Sequence, residues 1–72
     1  MTQKILHNNI RVLRAQHKLT QEQLAQAVQV SRKTINAIEG GNYSPSIVLA
    51  LTIAEALETP LDTIFQLVDE AV

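Results

Sequence analysis

The residues of this 72-residue chain best equipped for recognition chemistry fall in one short stretch, Ser31 to Glu39. Arg32 and Asn36 stand four apart, and Lys33 and Asn36 three apart, spacings that share one face of a helix. The apolar residues of the stretch, Ile35 and Ile38, fall on the opposite side. An arginine suits the two acceptors that guanine presents in the major groove, and an asparagine suits the acceptor and donor of adenine. Lys33 can serve either a guanine or a phosphate. These three are the candidate base readers, and the plain alternative is a solvated polar helix face. Catalytic chemistry has little to work with. The chain has no cysteine, and His7 and His17 stand alone, so neither a thiolate nor a metal-ligand cluster is at hand. There is no glycine-rich phosphate loop and no paired nucleophile and base. No enzyme, cofactor or metal is expected.

Charge is divided along the chain. All six basic residues, Lys4, Arg11, Arg14, Lys18, Arg32 and Lys33, lie in the first 33 positions, where Glu22 alone opposes them, a balance of +5. The other six acids, Glu39, Glu55, Glu58, Asp62, Asp69 and Glu70, come later and bring the whole to −1. One face can therefore meet phosphate while another stays hydrated or meets a partner. No apolar run approaches the roughly 20 residues of a membrane span, and Met1 to Leu6 holds no signal-peptide core. A cytoplasmic protein with no membrane partner is the expectation. Length argues for one domain over residues 1–72, near the low end of what folds on a hydrophobic core alone. Hydrophobic residues make up 46%, yet Tyr43 and Phe65 are the only aromatics, so the core must be aliphatic.

Glycine, proline and capping residues divide the chain into short helical units. Lys4-Ile5-Leu6 can be a short strand. Asn8 or Asn9 can cap a first helix through Ile10 and Leu13 that ends near Lys18. Thr20-Gln21-Glu22-Gln23 has the form of a capping box, and Leu24, Ala25 and Val28 make the inner face of the helix it opens. Ser31 caps the third helix, which Gly40-Gly41-Asn42 ends. Ser44 or Ser46 starts a fourth helix with Ile47, Ala50, Leu51, Ala54 and Leu57 at helical spacing. Leu49, Ile53 and Ala56 fill much of the rest, so this helix is expected to be buried on several sides. Thr59-Pro60 reads as a cap with proline at the first helical position, opening a short fifth helix. Gln66-Leu67-Val68 is apolar enough for a strand, a dimer contact or both. The second and third helices are joined by about three residues, the length of a helix-turn-helix. Thr20 and Gln21, at the start of the second, are placed to meet a phosphate.

The strings Leu19-Thr20-Gln21-Glu22-Gln23-Leu24-Ala25 and Val30-Ser31-Arg32-Lys33-Thr34-Ile35-Asn36-Ala37-Ile38-Glu39 resemble the lambda Cro/cI-type helix-turn-helix regulators, the xenobiotic-response-element family. The likeness continues through Gly41-Asn42-Tyr43-Ser44-Pro45-Ser46 and Ala54-Glu55-Ala56-Leu57 to Pro60-Leu61-Asp62-Thr63-Ile64-Phe65. It implies an all-α, compact five-helix bundle, in some members with the chain termini paired as a small β-sheet, here Lys4–Leu6 with Gln66–Val68. It implies further that Asn42, Tyr43 and Ser44 touch the DNA backbone, where the alternative is a capping turn, and that Arg14 and Glu39 form a structural ion pair. The sequence departs from the family at Gln29, which stands where glycine is common between the two motif helices. A non-glycine residue there at positive φ costs about 1 kcal/mol.

The function expected is sequence-specific binding of double-stranded DNA, with transcriptional regulation, repression foremost, as its purpose. One short helix reads few bases, so a symmetric homodimer on a palindromic operator is expected, with Ile64, Phe65, Leu67 and Val68 as the contact. Any inducing signal would come from a separate protein or from expression level. The competing expectation is a protein-interaction module on the same fold, such as an antitoxin.

Overall fold

The computed structural model describes residues 3–70. In chain order these form β1 (Lys4–Asn8), α1 (Ile10–Gln16), α2 (Gln21–Ala27), α3 (Arg32–Glu39), α4 (Ile47–Ala56), α5 (Leu61–Ile64) and β2 (Phe65–Asp69). The two strands pair antiparallel, Lys4 opposite Asp69 and Asn8 opposite Phe65. The architecture is thus five helices with a two-stranded sheet, so that "all-α" is too narrow a description. Asn8 and Asn9 lock the sheet to the helices. The Asn8 side chain accepts from the Ile10 N–H at 3.2 Å and donates to the Ile38 carbonyl at 3.0 Å. The Asn9 N–H donates to the Ile64 carbonyl at 2.9 Å, and its side chain to that of Thr63 at 3.0 Å.

Helix starts follow local side-chain chemistry. Thr20, Ser31 and Ser46 each accept the backbone N–H three residues on, from Gln23, Thr34 and Leu49. At Thr20 the box is closed, because the Gln23 side chain accepts the Thr20 N–H at 2.9 Å. At α5 the expectation fails by one residue: Pro60 is the N-cap, and the Thr59 hydroxyl donates back to the Leu57 carbonyl at 2.8 Å. Four helices end alike, in a left-handed residue followed by a hydrogen bond spanning five residues. The left-handed residues are Lys18, Gln29, Gly41 and Glu58, with φ of 57°, 62°, 80° and 50°. The closing bonds run from the N–H of Leu19, Val30, Asn42 and Thr59 to the carbonyls of Arg14, Ala25, Ala37 and Ala54. Those bonds satisfy otherwise orphaned carbonyls and offset the strain at the three non-glycine positions. Gln29 does adopt the positive φ that its glycine-favouring position implies.

The core is aliphatic: Ile10, Leu24, Ile35, Ile53, Leu57 and Ile64 have no exposed surface, and Ala25 lets α2 and α3 approach closely. Phe65 packs on this cluster from the side. The fourth helix does not have the environment its composition suggests. Ala50, Ile53 and Leu57 face inward, but Ile47, Val48 and Leu51 are 65%, 72% and 51% exposed. Helical spacing allows either stripe to be the inner one. The stripe centred on Ile53 meets the other helices, and no element within the described residues covers its opposite. Ile64 also departs from expectation, since full burial in the core leaves it no surface to offer a partner.

Candidate nucleic-acid interface

The third helix presents two chemistries on opposite sides. Ile35 and Ile38 are buried, which fixes the rotation of α3 about its axis, and Arg32, Lys33 and Asn36 consequently stand exposed. Ser31 at its start and Gly41 beyond its end limit α3 to eight residues, about 12 Å of helix. That length suits a major groove of comparable width.

A hydrogen-bonded network underlies the polar face. Arg14 on α1 donates from Nε to Glu39 Oε2 at 2.7 Å and from Nη2 to Glu39 Oε1 at 3.1 Å, a bidentate pair. Its third donor reaches the Leu19 carbonyl at 2.9 Å, in the turn before α2. Side-chain exposure is only 14% for Arg14 and 6% for Glu39. Burial pushes the Glu39 carboxyl upward. Hydrogen bonds from Arg14 and Gln21, with the charges of Arg14 and Arg11, outweigh that and hold it below the usual carboxylate range. Arg14 is raised, chiefly through its bond to Glu39. Gln21, the first residue of α2, connects this pair to the polar face of α3. Its Nε2 donates to Glu39 Oε1 at 3.1 Å and to Asn36 Oδ1 at 3.2 Å, and its Oε1 accepts from Arg32 Nε at 3.5 Å. Asn36 is thereby tied to the Arg14–Glu39 pair, and Arg32 approaches Gln21 at 3.5 Å. Sequence reasoning placed Gln21 only against phosphate. Asn36 and Glu39 lie 15 and 18 residues away in sequence, so no local signal announced the contact.

The remaining candidates divide among open grooves on either side of α3. Arg32 shares one with Thr20, Gln21 and Glu22, so an acid lines the same groove as the guanidinium. Asn36 and Asn42 share a second with Arg11 and His7, which brings a further cation beside α3. Tyr43 lines a groove with Lys33, Thr34 and Ala37, and Ser44 lines another toward β1 with Leu6 and Asn8. At the chain's C-terminal end, Phe65 is half-buried, while Leu67 and Val68 are 68% and 38% exposed on the sheet. No cluster of His, Cys, Asp or Glu able to hold a metal occurs among the described residues, and none of their helices is long and apolar enough to cross a membrane.

Two short helices crossing over Ala25, the second carrying an exposed polar face, define a helix-turn-helix protein, and residues 10–64 match the HTH_3 (helix-turn-helix) family. The chain belongs to that family, a DNA-binding transcription-regulator type and not an enzyme class. It is 40% identical over 65 residues to YgzD of Bacillus subtilis, an uncharacterised HTH-type transcriptional regulator, covering 90% of this chain and 98% of that one. It is 47% identical over 60 residues to another such regulator from Methanocaldococcus jannaschii, covering 83% and 91%. Among solved structures it is similar to the restriction-modification controller protein C.AhdI of Aeromonas hydrophila. The TM-score is 0.71 and the identity 31%, over 75% of this chain and 78% of that one.

Proposed function

We propose that the protein binds a palindromic DNA operator as a symmetric homodimer and represses transcription by occupying it. The observation that carries this reading is the exposed row Arg32, Lys33 and Asn36 on a helix whose other side is locked into the core. Arg32 and Asn36 read base edges, and Lys33 reads a base or holds a phosphate. Thr20, Gln21, Asn42, Tyr43 and Ser44 flank that row and touch the backbone, aided by Arg11. Arg14 and Glu39 keep the platform in register from behind. Repression needs no more than occupancy of DNA that polymerase would use. A signal that lifts it would come from a separate protein, and the site of action is the cytoplasm. No catalytic step and no cofactor enters this account.

Selection of bound sequences from a random duplex pool tests it, followed by binding of Arg32→Ala, Lys33→Ala and Asn36→Ala across a salt series. Arg32→Ala should cost about 1–3 kcal/mol at the selected site and relax preference at one base pair. A phosphate role for Lys33 would weaken all sequences alike and make the salt slope shallower by about one. Asn36→Ala should change base preference and leave the salt slope alone. If all three fold and keep wild-type affinity and preference, α3 is not the reader, and a protein-interaction role takes precedence.

A further inference from the structure

On the reading of this chain as a dimeric DNA-binding protein, we infer that the outer face of α4 is the dimerisation surface and that its occupant is α4 of a second copy. The two copies are related by a two-fold axis passing by Leu51. Ile47 and Val48 stand four and three residues before Leu51, so the three form one ridge along the helix, and they are 65%, 72% and 51% exposed. An isologous interface needs a patch complementary to itself. This one qualifies, because no charged residue occurs from Asn42 to Ala54 and two copies meeting there bring no like charges to the centre. A two-fold axis perpendicular to α4 runs the paired helices antiparallel. Glu55, one turn beyond Leu51 and exposed, then lies opposite the first turn of the partner's α4. That turn carries no acid of its own, and the free N–H groups of a helix start favour a carboxylate. A second copy thus supplies both the apolar cover and the charge complement that this face lacks.

The rival surface is the sheet, and it is poorer. Neighbouring strand residues point to opposite faces, so Leu67 lies with Leu6 and Val68 with Ile5. The face with Leu67 also holds Leu6 and Phe65, both half-buried, and the exposed Lys4–Asp69 ion pair, while the other offers only Ile5 and Val68 beside the polar His7 and Gln66.

Sedimentation equilibrium without DNA, on wild type, Leu51→Glu and Leu67→Glu, separates the two surfaces. A glutamate beside the axis opposes its own copy, so Leu51→Glu should weaken dimerisation by about a hundredfold or more, with an unchanged helical spectrum. Wild type and Leu67→Glu should remain dimers. Dimeric Leu51→Glu, a wild type that stays monomeric, or dissociation by Leu67→Glu alone would overturn the assignment. Because the chain has no cysteine, Leu51→Cys carries a unique nitroxide label and decides the matter even if the glutamate variant fails to fold. Helices packed at 8–10 Å should bring the two labels within about 25 Å, and a dimer without that dipolar coupling refutes the interface. A wild type that dimerises through α4 but selects no DNA removes the regulator reading and leaves the interface standing. DNA binding with a persistent Leu51→Glu dimer does the reverse.

Discussion

Replacing Glu39 by glutamine keeps the side chain's shape and removes its charge. The carboxylate is 6% exposed and accepts three hydrogen bonds, two from Arg14 at 2.7 and 3.1 Å and one from Gln21 at 3.1 Å. Without it, the part-buried Arg14 guanidinium has no counter-charge, a situation that costs about 3–5 kcal/mol where burial is complete and less here. Arg14 keeps its bond to the Leu19 carbonyl, and the glutamine oxygen can still accept one N–H, so the loss is at most about 3 kcal/mol. A 72-residue domain has about 4–11 kcal/mol in all, so Glu39→Gln should remain folded yet melt lower, by at most about 12–24 °C. The loss should depend on pH with a definite sign. The folded-state pKa of Glu39 is lowered, so its stabilisation is full above the unfolded carboxylate pKa of about 4.3. It disappears as pH falls from there through the lower native value. In acid, wild-type Glu39 takes up a proton and comes to resemble the variant, so their stabilities should converge. Urea unfolding followed by circular dichroism, at neutral pH and stepwise into acid, gives both quantities. A neutral-pH difference under about 1 kcal/mol, or one that does not shrink on acidification, would refute a buried, charge-compensated pair.

The same geometry predicts that Arg14→Met with Glu39→Leu will be less damaging than the two single losses combined, since the pair is removed without stranding a charge. A coupling energy below about 0.5 kcal/mol in the double-mutant cycle would argue against it. Gln29→Gly should stabilise by up to about 1 kcal/mol, because Gln29 has φ 62° and glycine adopts that conformation without strain, against some added entropy in the unfolded chain; an unchanged or lower melting temperature would mean the turn is not strained. The base-reader substitutions on α3 and the Leu51→Glu dissociation complete the set, and each is scored by binding or mass while the fold is monitored separately.

The starts at Thr20 and Ser31 were plain in the sequence, and Ser46 was one of two candidates, because capping is local. Thr20, Ser31 and Ser46 reach N–H groups only three residues away, and nothing distant has to be known. The outward face of α3 was equally plain, because Ile35 and Ile38 fix which side must turn inward. Helix ends near Lys18, Gln29 and Gly41 were legible in the sequence, but only at Gly41 does the residue type itself favour the left-handed turn. Lys18 and Glu58 carry no composition signal for φ of 57° and 50°, since no property of those side chains favours a conformation that the closing backbone bonds impose. The α4 exposure lay beyond sequence altogether. Ile47–Leu51 and Ala50–Ile53–Leu57 both obey helical spacing, and only the arrival of the other helices selects which stripe is buried. Pairing of the terminal strands and of Arg14 with Glu39 was expected only through the family resemblance, and the bridge from Gln21 to Asn36 and Glu39 was not expected at all, because each depends on what packing brings together. Periodicity and capping are set by neighbours along the chain, whereas the partner of a buried charge or an apolar face is whatever the packed backbone brings within a few ångströms.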